Sequence, residues 1–251
     1  MTATATEETE VSLYLYGFVL PGSRLPEGLT GVDDGVVRLE AVGEVAALVS
    51  EMPDTEIVGR PAEVRAHSTV LDAVAQTCSV LPVRFGTAVP DTASLAQVAT
   101  DSDDAFADEL RRLADVVQLS LRVRYIRETV IAELVDEEPE IRELRESTRN
   151  LSEEASYYER IRLGELIVAG FDRKRAADAS ALEEQVAPFT VELRRRDEAD
   201  VDDVLAAALL VRRSELGRFE DALENIAARS VDRMTFRLVG PQAPYDFVAE
   251  A

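Results

Sequence analysis

The chain has one cysteine, one histidine and one lysine in 251 residues, and each scarcity removes a class of chemistry. With Cys78 alone there can be no internal disulfide and no multi-cysteine metal site. His67 precedes Cys78 by eleven residues, which is roughly 16 Å along a helix, so the two cannot form a nucleophile–base dyad. As a metal ligand His67 could call only on carboxylates such as Glu63 or Asp72, and a packed or capping histidine is the simpler reading. Neither G-x-x-x-x-G-K-[ST] nor G-x-G-x-x-G occurs, so both phosphate-cradling fingerprints are missing. Long apolar runs are missing too, and the longest fall far short of a bilayer span. The opening "MTATATEETE" is polar and acidic, unlike a basic start followed by an apolar stretch. The expectation is a cytoplasmic protein without a membrane span, with residues 1–11 disordered, and with no multi-cysteine metal site or phosphate-cradling cofactor loop.

What the chain has in excess is negative charge. Forty-nine acidic against 27 basic residues give a formal charge of −22, which repels a nucleic-acid backbone or an anionic membrane surface. Partners are expected to be neutral, cationic or apolar. Apart from Lys174 every basic residue is arginine. An acid-rich, lysine-poor surface suits a halophile, because concentrated salt screens the repulsion among carboxylates; a GC-rich genome would also exchange Lys for Arg. The acidic clusters "DSDD" (101–104), "DEEPE" (136–140) and Asp202-Asp203 lack the 12-residue spacing and central Gly of a calcium loop and read as solvated surface.

The length suits two domains. The first, 12–115, reads as α+β. "VSLYLYGFVL" is a buried strand, "VVRLEAVGEVAALVS" two strands around a turn at Gly43, and 60–77 a helix with Pro61 in its first turn. "VLPVRFGTAV" reads as one strand, followed by two helices broken near Asp101. The second, 116–240, begins with "VVQLSLRVRYIRE", which alternates Val117, Leu119, Leu121, Val123 and Tyr125 against polar neighbours. Apolar positions from Ile141 through Leu144, Thr148, Leu151, Ala155, Tyr158 and Ile161 predict one long helix from Pro139 to at least Ala169, and past a possible break at Gly170 to Val186. Then come a half-buried strand in "PFTVELRRR", a central strand in "VLAAALLV", a helix capped by Ser214 and a last strand in "MTFRLV". The order βαββαβ with right-handed crossovers is the ferredoxin-like arrangement. Residues 241–251 form an extended tail outside it.

Four residues stand out as candidates for interaction or strapping. Arg84 sits inside an apolar run, where strand alternation points it outward or a buried carboxylate pairs it; otherwise it is a fixed charge beside a groove. Tyr158 lies on the apolar stripe of the long helix, which either packs within the chain or offers a face to a partner helix. Tyr245 and Phe247 follow Pro241 and Pro244 in a tail stiffened by proline, and read as anchors of a strap tying the two domains together. The sheet's polar face carries Arg122, Arg124, Arg194 and Arg237, but its aromatics alternate to the other side, which disfavours RNA stacking.

Three segments in order, "YLYGFVL", "VLPVRFGT" and "FRLVGPQAPYDFV", with "YYERIRLGEL" between the last two, resemble the gas vesicle protein F/L family over about residues 12–248. The resemblance implies a non-enzymatic accessory protein of gas vesicle formation, with an N-terminal α+β domain and a C-terminal modified ferredoxin-like domain carrying an extended tail. It implies association with gas vesicles, and as partners the small, very hydrophobic major shell protein and other accessory proteins, bound to assist nucleation and assembly. It implies no catalytic or metal residues. The tail departs from the family pattern at Gln242-Ala243, where an aromatic and a second proline are common. F-type and L-type members share these motifs. A small-molecule-sensing domain is the alternative of a different class, since ferredoxin-like folds often bind ligands.

Overall fold

A computed structural model describes residues 12–52, 59–100, 103–152, 154–197 and 200–248. Residues 1–11, expected to be disordered, and Asp101 at the expected helix break lie outside the described residues. The chain divides into two compact units, one comprising residues up to Gln118 together with those from Gly240 on, the other Leu119–Val239.

The first unit is built on β1 (Leu13–Val19), β2 (Arg38–Val42), β3 (Val45–Glu51), β4 (Val80–Pro82) and β5 (Ala88–Val89). The sheet order is β2-β3-β1-β4, with β5 also pairing to β1. Strand β1 is buried along its whole length because helices cover both faces of the sheet. Helix α1 (Pro61–Ala75) packs Val70, Leu71 and Val74 with Tyr14, Tyr16 and Val19. On the opposite face Leu95 of α2 (Thr92–Thr100) and Ala107 and Leu110 of α3 (Asp103–Arg112) join Leu13, Leu15 and Phe18. Strict alternation from Leu13 would send Phe18 to the tyrosine face; a bulge between Leu15 and Gly17 inserts one residue and turns it over. Gly17 is required there, since a Cβ would lie 2.4 Å from the Leu81 carbonyl oxygen. The expected single strand "VLPVRFGTAV" is in fact β4 and β5 separated by a turn, for which Gly86 supplies φ of 86°.

The second unit holds β6 (Val116–Tyr125), α4 (Arg127–Glu137), α5 (Pro139–Thr148), α6 (Tyr157–Val186), β7 (Glu192–Arg195), β8 (Asp203–Arg212), α7 (Leu216–Arg229) and β9 (Met234–Gln242). The sheet order is β7-β8-β6-β9. Leu121, Val123 and Tyr125 pack with Phe171 and Leu182 of α6 and Phe219 and Leu223 of α7. The interior strand β8 is buried on both faces, as its unbroken apolar run predicts.

Several sequence expectations for this unit need correction. The apolar stripe from Ile141 onward is not one helix: α5 ends at Thr148, whose hydroxyl donates back to the Leu144 carbonyl, and α6 starts afresh at Tyr157. Gly170 does not break α6. It brings that helix close to α4, where a Cβ would meet Leu134 Cδ2 at 2.7 Å. Helix α4 carries only Val130 and Leu134 as buried residues, too sparse a stripe to be read from periodicity. Ser214 lies in a 3-10 turn, Arg213–Glu215, and does not cap α7. Finally, β9 continues through Gly240 and Pro241, and the tail beyond it bends into a 3-10 turn, Tyr245–Phe247.

Candidate functional site

The tail residues 243–248 fold onto the first unit and line one of its clefts. Ala243 and Phe247 are buried, Phe247 to 2% exposure. The backbone is held by side chains rather than by a sheet edge. Asp72 of α1 accepts from the Ala243 N–H at 2.9 Å, Arg112 of α3 donates to the Phe247 carbonyl at 2.6 Å, and Gln118 exchanges two bonds with Asp246. In the latter pair the Gln118 amide donates to the Asp246 carboxylate at 2.6 Å, and its carbonyl accepts the Asp246 N–H at 3.1 Å. This explains why Gln118, on the polar side of the strand by alternation, is buried. Burial holds Asp72 above the usual carboxylate range, with the Ala243 N–H pulling the other way.

Beside the tail lies an open cleft of about 340 Å³, with Leu15, Phe18, Val83, Phe106 and Val248 in its walls and Arg84 and Tyr245 also lining it. Its position follows from local sequence rules. The bulge in β1 delivers Phe18 to this face, where its ring lies 4.8 Å from that of Phe106 on α3. The β4–β5 turn carries Arg84, whose backbone carbonyl accepts from the Thr87 N–H at 3.3 Å and from its hydroxyl at 2.8 Å. Arg84 is exposed and belongs to no uninterrupted strand.

A neutral polar cluster braces that turn from the opposite face of the sheet. The Gly86 N–H donates to the Tyr14 hydroxyl at 3.1 Å, and the hydroxyl lies 2.8 Å from His67 Nδ1. The Tyr14 hydroxyl and His67 Nδ1 thus share one hydrogen bond whose donor is set by the imidazole tautomer. Tyr16 accepts from the Val32 N–H at 2.9 Å and shares a hydrogen bond with Ser50 at 2.9 Å. Burial draws the His67 pKa down to about 4, with the Val83 backbone opposing it, and raises Tyr14 to about 12. Both rings stay uncharged across the neutral range. His67 is therefore a packed histidine, as read from sequence, and among the described residues no three metal-ligating side chains come together.

The structure thus brings Arg84 and Tyr245 to one cleft, with Phe247 buried in the same unit, while Tyr158 stands apart in the second unit at the start of α6. Tyr158 is 81% exposed. Sequence reasoning missed Phe18 and Phe106 as cleft residues, because the bulge that reorients Phe18 has no periodic signature. It also missed what the sheet arginines do: Arg122 bonds Asp203 at 2.6 Å, Arg124 bonds Asp200 at 2.6 Å, and Arg194 bonds Glu192 at 2.7 Å.

Comparison with known proteins agrees with this architecture. The family model "Gas vesicle synthesis protein GvpL/GvpF" matches residues 12–249. Gas vesicle protein F of Streptomyces sp. (strain CB03234) is 27% identical over 95% of this chain and all of its own length. That of Dolichospermum flosaquae is 24% identical over 94% of this chain and 97% of its own. The crystal structure of GvpF from Anabaena sp. PCC7120 superposes with a TM-score of 0.79 at 22% identity, covering 96% of this chain and 99% of that one. GvpF from Microcystis aeruginosa gives 0.74 at 24% identity, covering 94% and 98%. With a family match running from the first strand through the tail, this chain belongs to the gas vesicle GvpL/GvpF family.

Proposed function

We propose that this chain is a non-enzymatic accessory protein that binds the hydrophobic gas vesicle shell subunit, together with other accessory proteins, during nucleation and assembly. The cleft beside the tail carries the reading. Phe18, Val83, Phe106 and Val248 offer an apolar seat, with Arg84 and Tyr245 also in its lining, on a protein whose charge of −22 keeps a bound apolar segment dispersed. A subunit that polymerises into a gas-filled wall must be apolar on one side, and that side aggregates before assembly unless something covers it. Such a role places the protein in the cytoplasm and at the growing vesicle.

The second unit is read as a ferredoxin-like fold. In support, its four strands lie in the spatial order second, third, first, fourth, with helices between the first and second and between the third and fourth. The relatives reported above are all F-type proteins, which favours that subtype. The internal pairing of Arg122, Arg124 and Arg194 argues against a nucleic-acid face on this sheet. The test is co-expression with the shell subunit. The wild-type chain should retain the subunit in a pull-down, a Val83→Asp change in the cleft should release it, and deleting the gene should abolish vesicles. Normal vesicles in the deletion strain would refute the assignment.

A further inference from the structure

The second unit has a concavity of about 520 Å³ that runs against the chain's acidic character. Arg142, Arg145 and Arg149 from α5 and its C-terminal end, and Arg160 from the first turn of α6, all line it. Val135 and Leu163 contribute apolar wall, and among the described residues Glu146 is the one carboxylate in the lining. Many arginines of this unit sit on carboxylates, among them Arg127 on Asp202, Arg173 on Glu138, Arg195 on Glu183 and Arg233 on Glu133 and Asp178, and exceptions such as Arg212 and Arg237 lie outside this concavity. The four of the concavity do not. Arg142 donates to the carbonyls of Val135 and Asp136, closing the end of α4, and Arg160 donates to the Ser156 hydroxyl. Among the described residues, the guanidiniums of Arg145 and Arg149 have neither a hydrogen bond nor an ion pair.

This arrangement is unfavourable for an isolated protein. Positions 142, 145 and 149 lie on one helical face, where like charges repel by a few tenths of a kcal/mol per pair. Among the described residues Glu146 alone offsets them in the lining, and it forms no ion pair with any of the four. The apolar surroundings narrow the class of ligand. Tyr157, 58% exposed, lies one turn before Arg160 on the same face of α6, and the adjoining Tyr158 and Ile161 are exposed as well. A small phosphate-like anion would use the guanidiniums and leave this surface bare. A polypeptide segment with carboxylates spaced among apolar side chains would use both, and arginine with tyrosine is the pairing enriched at protein–protein hot spots.

The geometry points to a docking site here for an acidic, amphipathic segment of a partner protein, separate from the apolar cleft of the first unit. Arg145 and Arg149 supply the open charge, Arg142 and Arg160 the fixed wall, and Val135 and Leu163 the apolar contact, extended by Tyr157 one turn before Arg160. The test uses the full chain and a fluorescein-labelled synthetic peptide with Glu and Leu at helical spacing, read by anisotropy at low salt. The wild type should bind it, and added salt should weaken binding. Arg145→Glu/Arg149→Glu should weaken it about tenfold or more, with cooperative melting and an unchanged far-UV circular dichroism spectrum showing that the fold is retained. Three results would overturn the assignment: no binding by the wild type, equal binding by the double variant, or equal binding of a control peptide with Gln in place of Glu. Tripolyphosphate binding in the same concavity more tightly than the peptide would reassign it as a small-anion site and also refute the proposal. Shell-subunit retention through the first unit should survive the double variant, so failure of one assignment does not carry the other with it.

Discussion

The two units solve the burial of polar groups in opposite ways. In the first, Tyr14, Tyr16, Ser50 and His67 are all at most 2% exposed and meet one another or the backbone as neutral groups. In the second, Asp203 is fully buried, contrary to its reading as solvated surface charge, because it is bonded by Arg122 at 2.6 Å and by the Asp200 N–H at 3.0 Å and approached by Arg124 at 3.3 Å. A second ionic chain runs from Tyr125 to Asp178 at 2.5 Å, Asp178 to Arg233 at 2.7 Å, Arg233 to Glu133 at 2.8 Å and Glu133 to Lys174 at 3.1 Å. Burial and the Asp178 carboxylate both push the Tyr125 hydroxyl well above its ordinary value. A neutral cluster keeps its strength in salt but fails when a proton enters; an ionic one tolerates protons until its carboxylates titrate and is weakened where water and salt reach it.

Four substitutions break or sharpen that contrast. The largest effect is expected from Phe247→Ala, which removes a ring that is 2% exposed and should cost about 3–5 kcal/mol in urea unfolding, much as deletion of residues 241–251 would. This separates apolar anchoring of the tail from its hydrogen bonds. Next is acid. His67 is neutral in the fold with its pKa pulled from 6.5 to about 4, so the unfolded chain takes up the proton first as pH falls. Stability present above pH 6.5 should therefore drain away between about 6.5 and 4 and level off below, a loss of roughly 3 kcal/mol. His67→Gln should flatten that part of the stability–pH curve, and an unchanged slope would remove the histidine from the account. Asp203→Ala tests the ionic side and should cost about 2 kcal/mol, because Arg122 and Arg124 remain half-exposed and regain water. The cost should shrink in high salt, whereas that of Phe247→Ala should not. Smallest is Tyr158→Ser, expected to shift stability by less than about 0.5 kcal/mol, since that side chain is 81% exposed.

Most strands and the longer helices were legible because each buries one periodic face, and β6, β8 and α1 lie where the alternation or the three-four spacing places them. The failures share a cause. Short-range geometry that carries no hydrophobic period was invisible: the bulge at Leu15–Gly17, the turn inside "VLPVRFGTAV", and the restart between Thr148 and Tyr157. Arg84 and Tyr245 could be picked from their odd company in sequence, but not the fact that both line one cleft, because that depends on pairing across most of the chain's length. The arginine concavity was hidden for the opposite reason. Its members look like ordinary alternating charge until Glu138 and Glu140 are seen to pair with Arg173 and Arg162 of α6.

The polypeptide leaves the first unit once, after Gln118, and re-enters it once, at Gly240. The contacts that seat the returning segment join residues separated by 171, 135 and 128 positions. During synthesis the first core must therefore wait, with the seats of Ala243 and Phe247 empty, until the entire intervening unit has emerged. Closing so long a loop is slow and entropically costly, and it is cheaper once the nested unit has collapsed and drawn its two ends together. The order of maturation is thus expected to run inside out, with the cleft completed by Val248 as the last element to form. A truncated chain would present an unfinished cleft, so competence for binding there would itself report that translation had run through the tail.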